Sequence, residues 1–337
     1  MLILERCKKT APAHGKGIRL AIYQPQAGLS GTEAAIERAI KQLENAVEIA
    51  SSHEAQLISF PELYLTGYAF KEKNPSAHEI AFECDSPIIK RIQDIAWKYQ
   101  VAIICPYPEA AKVAGQARFY DAMVLIDKDG SLLKNYRKTQ LWGPDEQKLW
   151  DFGYVFPEEG EAFTTHLVNG FPIGLLNCYE AEYSELARIH ALNGAKLIVI
   201  PTAADEWALV GGRKTVIPYP DATKLLIPAH ALENNIFIAY NNYTGVGFID
   251  ESGAEIEQVQ YLGNSVICDP YGERMLAARK TEETMLIADC VPDDYTQTHP
   301  CNTSYIKDRR PAMYAKLTSE TIEYEDYCYP NPPRPIY

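Results

Sequence analysis

The order of the apolar segments constrains the fold of this chain most. Short runs that read as buried strands alternate with amphipathic helices, and hairpins interrupt the alternation. Residues 18–23 read as a strand. Residues 32–53 carry helical apolar spacing, with Ala35, Ile36, Ile40, Leu43, Ala46, Val47, Ile49 and Ala50 on one side. A short strand over 56–60 ends at Pro61, a helix covers 86–100 and a strand 101–105. Two further strands, 122–127 and 132–137, flank Asp129-Gly130, a hairpin signal. A strand over 171–177 runs into a cysteine, followed by helix 182–192, strand 196–200, helix 223–233 and strand 236–241, with shorter strands near 265–268, 275–277 and 285–288. A pure βαβ series lacks the hairpins and an all-β sandwich lacks the helices. Two mixed sheets packed face to face, with helices on their outer faces, bury what the pattern offers.

No repeat, low-complexity tract or linker divides residues 18–290, so the 337 residues read as one large domain over 18–294. Residues 1–17 read as an N-terminal extension. Residues 295–337 read as a tail at a subunit interface, with four prolines in its last nine residues. The net charge of −13 argues against a nucleic-acid partner, which needs a basic footprint, and against an anionic membrane surface. No apolar run approaches the roughly 18–20 residues of a transmembrane helix. The stretch Met1 to Leu4 is too short for a signal-peptide core, so both glycosylation-like triplets, at Asn242 and Asn302, read as chance. The eight cysteines show no metal-ligand spacing and read as reduced thiols of a cytoplasmic protein.

Three segments carry chemistry. In Phe60-Pro61-Glu62-Leu63-Tyr64, a buried strand stops at proline and presents Glu62 at its C-terminal edge, where open α/β sheets place ligands. Apolar neighbours would raise that carboxyl toward a general base's useful range; a solvated acid in a turn would give the same sequence. In Tyr136-Arg137-Lys138-Thr139-Gln140, a lysine ends a strand before the Gly143-Pro144 break, as a cation reaching into a cleft or as part of a solvated basic patch. In Leu175-Leu176-Asn177-Cys178-Tyr179-Glu180, an apolar strand ends in a thiol with a helix to follow. Backbone N–H groups and a helix dipole there favour a thiolate and can hold an oxyanion; a small hydrophobe closing a strand is the alternative.

Glu, Lys and Cys in that order, each at the end of an apolar strand, resemble the nitrilase (carbon–nitrogen hydrolase) superfamily. The resemblance runs from Ile18 to about Tyr314 and takes in Tyr305-Ile306-Lys307-Asp308-Arg309-Arg310-Pro311. It implies a four-layer αββα sandwich whose subunits pair. It makes Cys178 the nucleophile, Glu62 the general base and Lys138 the stabiliser of the tetrahedral intermediate, helped by the Tyr179 N–H, with Glu146 as a second, positioning glutamate. Glu180 and Glu185 resemble structural acids of the family. Gln140 and Ser184 stand where many members have His and Pro, and neither change removes a catalytic group. No metal or organic cofactor is implied.

The Cys178-Tyr179-Glu180 run resembles amidases acting on amino-substituted amides, such as 5-aminopentanamidase-like enzymes, more than nitrilases, which typically read Cys-Trp-Glu. The expected reaction is hydrolysis of a small linear amide through a cysteine thioester. The alternatives are nitrile or N-carbamoyl amine hydrolysis, or a non-catalytic binding protein on this fold. After strand 196–200, a loop holding Asp205, Glu206 and Trp207 would bind a substrate ammonium by charge and cation–π contact, or else lie solvated. Gly245-Val246-Gly247 fails as a dinucleotide loop because Asp250 takes the third glycine position.

Overall fold

The structure is a computed structural model that describes residues 1–68, 76–210, 213–216, 221–247, 259–296 and 300–319. Its first sheet holds β1 (Leu2–Arg6), β17 (Thr284–Cys290), β2 (Ile18–Gln24), β3 (Leu57–Ser59), β4 (Ala102–Val113), β5 (Gln116–Ile126) and β6 (Leu132–Arg137), in that spatial order. The second holds β16 (Arg274–Ala277), β15 (Val266–Cys268), β12 (Phe237–Asn241), β9 (Leu197–Pro201), β8 (Phe171–Leu175) and β7 (His166–Val168). Both mix parallel and antiparallel pairs.

The period of two along each strand assigns the layers. Leu20, Ile22, Leu57, Ile104, Met123 and Leu125 of the first sheet pack with Leu175, Leu197, Val199, Phe237 and Ala239 of the second. Their neighbours Ala21, Ile58, Ile103, Cys105 and Val124 turn outward, onto Ile36, Leu43, Ile92 and Ile95 of helices α1 (Glu33–Ser52) and α3 (Pro87–Tyr99). On the far side Ile198, Ile200, Ile238 and Tyr240 meet Leu186, Ala187, Ile227 and Ala231 of α5 (Ser184–Leu192) and α6 (Leu226–Asn234). The four-layer αββα arrangement follows. Local signals set the helix limits: Thr32 accepts from the Ala35 N–H at 3.1 Å, and Ser86 precedes Pro87 while Gln100 closes α3 in the left-handed conformation. The hairpin at Asp129-Gly130 forms as expected, with Gly130 at φ +82°.

Three features depart from the sequence reading. The N-terminal segment supplies β1, paired in parallel with β17 at the sheet edge; its brief, half-buried apolar run gave no strand signal. Strands β4 and β5 form one long hairpin, where the sequence suggested strands 101–105 and 122–127 only. Pro106 and Pro108 mask it. Their carbonyls accept from Leu65 and Phe82, so their missing N–H groups face away from β5. Residues 205–207 belong to a strand, β10 (Asp205–Val210). It stands in a third sheet of order β11 (Arg213–Val216), β10, β14 (Val259–Leu262), β13 (Thr244–Gly247). Two short helices, α2 (Ser76–Glu79) and α4 (Gly143–Leu149), complete the elements. The proline-rich end and Asp250 lie outside the described residues.

Candidate active site

Strands β3, β6, β8 and β9 end at one edge of the sandwich, and the residue types singled out in the sequence leave from those ends. Glu62 follows β3 in a turn closed by Gly67, whose φ is +74°; a Cβ there would meet Ser30 Cβ at 2.8 Å. The Glu62 carbonyl accepts from Tyr243 Oη at 2.9 Å. Lys138 follows β6, its N–H donating to the Asp121 carbonyl across the strand pair at 2.9 Å. Cys178 follows β8 at φ +49°, a strained conformation for a residue with a side chain, and opens a 3-10 turn (Cys178–Glu182). The regular helix expected from Glu182 starts at Ser184, so the first N–H groups past the thiol belong to this turn.

Lys138 is fully buried, which excludes the solvated basic patch, and Glu62 is buried with it. The ammonium lies 2.5 Å from Glu62 Oε1, 2.9 Å from each oxygen of Glu146 and 3.2 Å from Asp121 Oδ2. Among the described residues these acids form the one group close enough to share a metal ion. Lys138 Nζ sits within hydrogen-bond range of all three, the place a cation would take. The carboxylates hold Lys138 protonated, well above its ordinary range, against the opposing effect of burial. Burial pushes the Glu62 carboxyl well up, and the charges of Asp121 and Glu146 add to this while Lys138 opposes it. Glu146 is oriented by Tyr68 Oη and the Trp142 N–H, each donating at 2.6 Å.

Burial and the nearby Glu62 charge push the Cys178 thiol up, and Lys138 pulls it down. Thr202, just past β9, places its hydroxyl 3.1 Å from the sulfur. Glu180 ties the lysine and cysteine loops together. One oxygen accepts from the Thr139 N–H at 2.6 Å and the Thr139 hydroxyl at 2.5 Å, the other from Tyr136 Oη at 2.8 Å and the Asn177 N–H at 2.6 Å.

The cysteine opens onto a cleft also lined by Tyr68, Trp142, Tyr179, Asp205 and Tyr240. Asp205 thus meets the cleft, whereas Glu206 pairs with Lys280 at 2.6 Å. The register of β10 against β14 is irregular between Asp205 and Trp207, and the two acids have different surroundings. The Trp207 side chain lies outside the described residues. Burial raises the Asp205 carboxyl to about 6. Asp121, Tyr68, Thr202 and Tyr240 escaped the sequence reading. Counting back from a two-residue turn at Asp129-Gly130 pairs residue 121 with 138, the pairing the structure has despite an irregularity at Leu133, so that count could have found Asp121.

Residues 19–300 match the carbon-nitrogen hydrolase family. Over 265 residues the chain is 34% identical to a "Hydrolase in pqqF 5'region" of Pseudomonas protegens, covering 79% of this chain and 81% of the relative. It is 30% identical to the 2-oxoglutaramate amidase of Bacillus subtilis, over 74% and 83% of the two chains. A Nesterenkonia amidase from the nitrilase superfamily has the same fold, with a TM-score of 0.69 at 24% identity, covering 91% of this chain and 99% of that one. The chain belongs to the carbon-nitrogen hydrolase family. It is a hydrolytic enzyme of the amidase branch of the nitrilase superfamily.

The Glu180 clamp yields a direct expectation. In Glu180→Gln one end of the side chain cannot accept, so buried donors lose their partner whichever way the amide turns. Stability should fall by roughly 2 kcal/mol or more, read as a lower urea midpoint with unchanged slope. An unchanged midpoint would remove the clamp.

Proposed function

We propose that this chain hydrolyses small linear amides to acid and ammonia, with Cys178 as nucleophile, Glu62 as general base, and Lys138 and the Tyr179 N–H as oxyanion donors. The observation that carries this reading is a thiol open to a cleft with a buried lysine–carboxylate cluster behind it. Glu62 takes the thiol proton as sulfur attacks the amide carbon. Positive charge and N–H groups aimed at the carbonyl oxygen stabilise the tetrahedral adduct. The C–N bond breaks and the nitrogen leaves as ammonia with the proton from Glu62. Water then gives a proton to Glu62, adds to the thioester carbon and expels the sulfur, which regains its proton. Glu146 positions Lys138 throughout. Mixing with an amide should give a protein mass raised by one acyl group, mapped to Cys178. Cys178→Ala should show neither adduct nor turnover while keeping its fold; turnover in that variant would sink the assignment. Faster ammonia release from nitriles or carbamoyl amines than from amides would favour those alternatives.

For the substrate we propose an amide with a cationic far end. The described residues lining the cleft include Glu182, Asp205 and Asp221 and no lysine or arginine. Asp221 has Lys224 at 3.2 Å, whereas Asp205 has no basic partner among the described residues. Asp205 with its carboxyl near 6 is neutral below that pH and anionic above it. The KM for an amino-substituted amide should therefore fall as pH rises from 5 to 7, while that for a neutral amide of equal length stays level. Asp205→Asn should abolish the trend and raise the former KM about tenfold at pH 7.5, the size of one hydrogen bond to a charged group, and Glu206→Gln should not. Equal effects on both amides would remove the ammonium site.

A reducing, cytoplasmic setting fits the seven described cysteines, all free. A homodimer fits the exposed Ile189 and Leu192 of α5 and Leu225 beside α6. Light scattering should give twice the 37.8 kDa chain mass; a monomer at micromolar concentration would refute it.

A further inference from the structure

The reading of Cys178 as nucleophile leaves open what stabilises its sulfur while the proton is away. Thr202 Oγ1 lies 3.1 Å from Cys178 Sγ and 3.1 Å from Tyr240 Oη. Thr202 is fully buried, and Tyr240 nearly so. A threonine hydroxyl has one proton and two lone pairs. It cannot donate to both neighbours, so two arrangements exist. In one, Thr202 donates to Tyr240 and the thiol is protonated. In the other, Tyr240 donates to Thr202 and Thr202 donates to sulfur, which favours a thiolate because a thiol sulfur is only a weak acceptor.

We propose that Thr202 and Tyr240 form a two-hydroxyl relay that turns over as Cys178 ionises: Thr202 is a catalytic residue donating to the thiolate, and Tyr240 is a positioning residue acting through Thr202. The proposal rests on Cys178 being the reactive thiol. As the S–H proton passes to a Glu62 oxygen, the Thr202 hydroxyl rotates onto sulfur and the Tyr240 hydroxyl onto Thr202. When water later displaces the acyl group, the same donor meets the departing thiolate before Glu62 returns the proton. Lys138 favours the thiolate through its charge, while Thr202 is the described side chain whose hydroxyl lies within hydrogen-bond distance of the sulfur. Glu62, once protonated, must keep its proton for the leaving nitrogen. The Thr202 hydrogen bond also lowers the thiol's pKa against the effect of burial.

The test is the rate of Cys178 alkylation by iodoacetamide against pH, followed by peptide mass in the full-length protein. Thr202→Val keeps the side-chain shape without the hydroxyl. It should shift the midpoint up by about one pH unit, a tenfold slower reaction near neutrality. Thr202→Ser should restore the wild-type profile. Tyr240→Phe should shift the midpoint in the same direction by less, and should add nothing in the Thr202→Val background. If Thr202→Val and Thr202→Ser both keep the wild-type profile, the relay is wrong. An undiminished Tyr240→Phe effect without Thr202 removes Tyr240 from it. These results are separable from a failure of the nucleophile itself: wild-type enzyme that forms no acyl adduct at Cys178 overturns the proposed function, whereas an adduct with an unmoved alkylation profile overturns the relay alone.

Discussion

A lysine ammonium with no access to water, held between Glu62, Glu146 and Asp121, is the interaction on which the rest of the site depends. Three carboxylates so close would repel one another strongly in a buried setting, and a lone buried ammonium would shed its proton. Together each makes the others tolerable, and removing one partner from such a cluster costs about 3–5 kcal/mol. Burial, with the charges of Asp121 and Glu146 adding to it and Lys138 opposing it, makes Glu62 willing to accept a proton. Charge balance at this point thus sets protonation states at the reacting sulfur.

The scaffold serves this arrangement by bringing strand ends together. Two sheets pack through Leu20, Ile22, Val199 and Ala239, and the C-terminal ends of β3, β6, β8 and β9 open at one edge. Glu180 then joins the lysine and cysteine loops through four short hydrogen bonds. Loops fixed in this way hold the strained backbone at Cys178 without a regular helix behind it. The four αββα layers, the family and the hydrolytic class all agree with the expectations drawn from the order of segments and the Glu, Lys and Cys motifs.

Those parts were legible because Glu62 and Cys178 each follow an apolar run and Lys138 closes the strand after a hairpin signal, and such local patterns survive in one dimension. What stayed hidden depends on register or on atoms far apart in the chain. Asp121 meets Lys138 only through the register of the β5–β6 pair, which is irregular at Leu133 of β6. Prolines 106 and 108 look like breakers until one sees that their nitrogens face away from β5. The acids at 205 and 206 read as part of the loop after strand 196–200, and their different surroundings became visible only with β10 in place. Thr202 and Tyr240 carry no motif at all; their importance is a matter of two distances.

The pairing of β1 with β17 has a consequence for how the protein is made. Strand β17 lies between β1 and β2, so these two early strands join one sheet only through a strand that begins at Thr284. At roughly 5–20 residues per second, the wait for that strand lasts on the order of a quarter of a minute to a minute. During this time the apolar edge of β2 has no partner, and the segment Leu2–Arg6 has nothing to pair with. Completion of the first sheet therefore waits for β17, and a chain truncated before residue 284 lacks the strand that joins β1 to the fold.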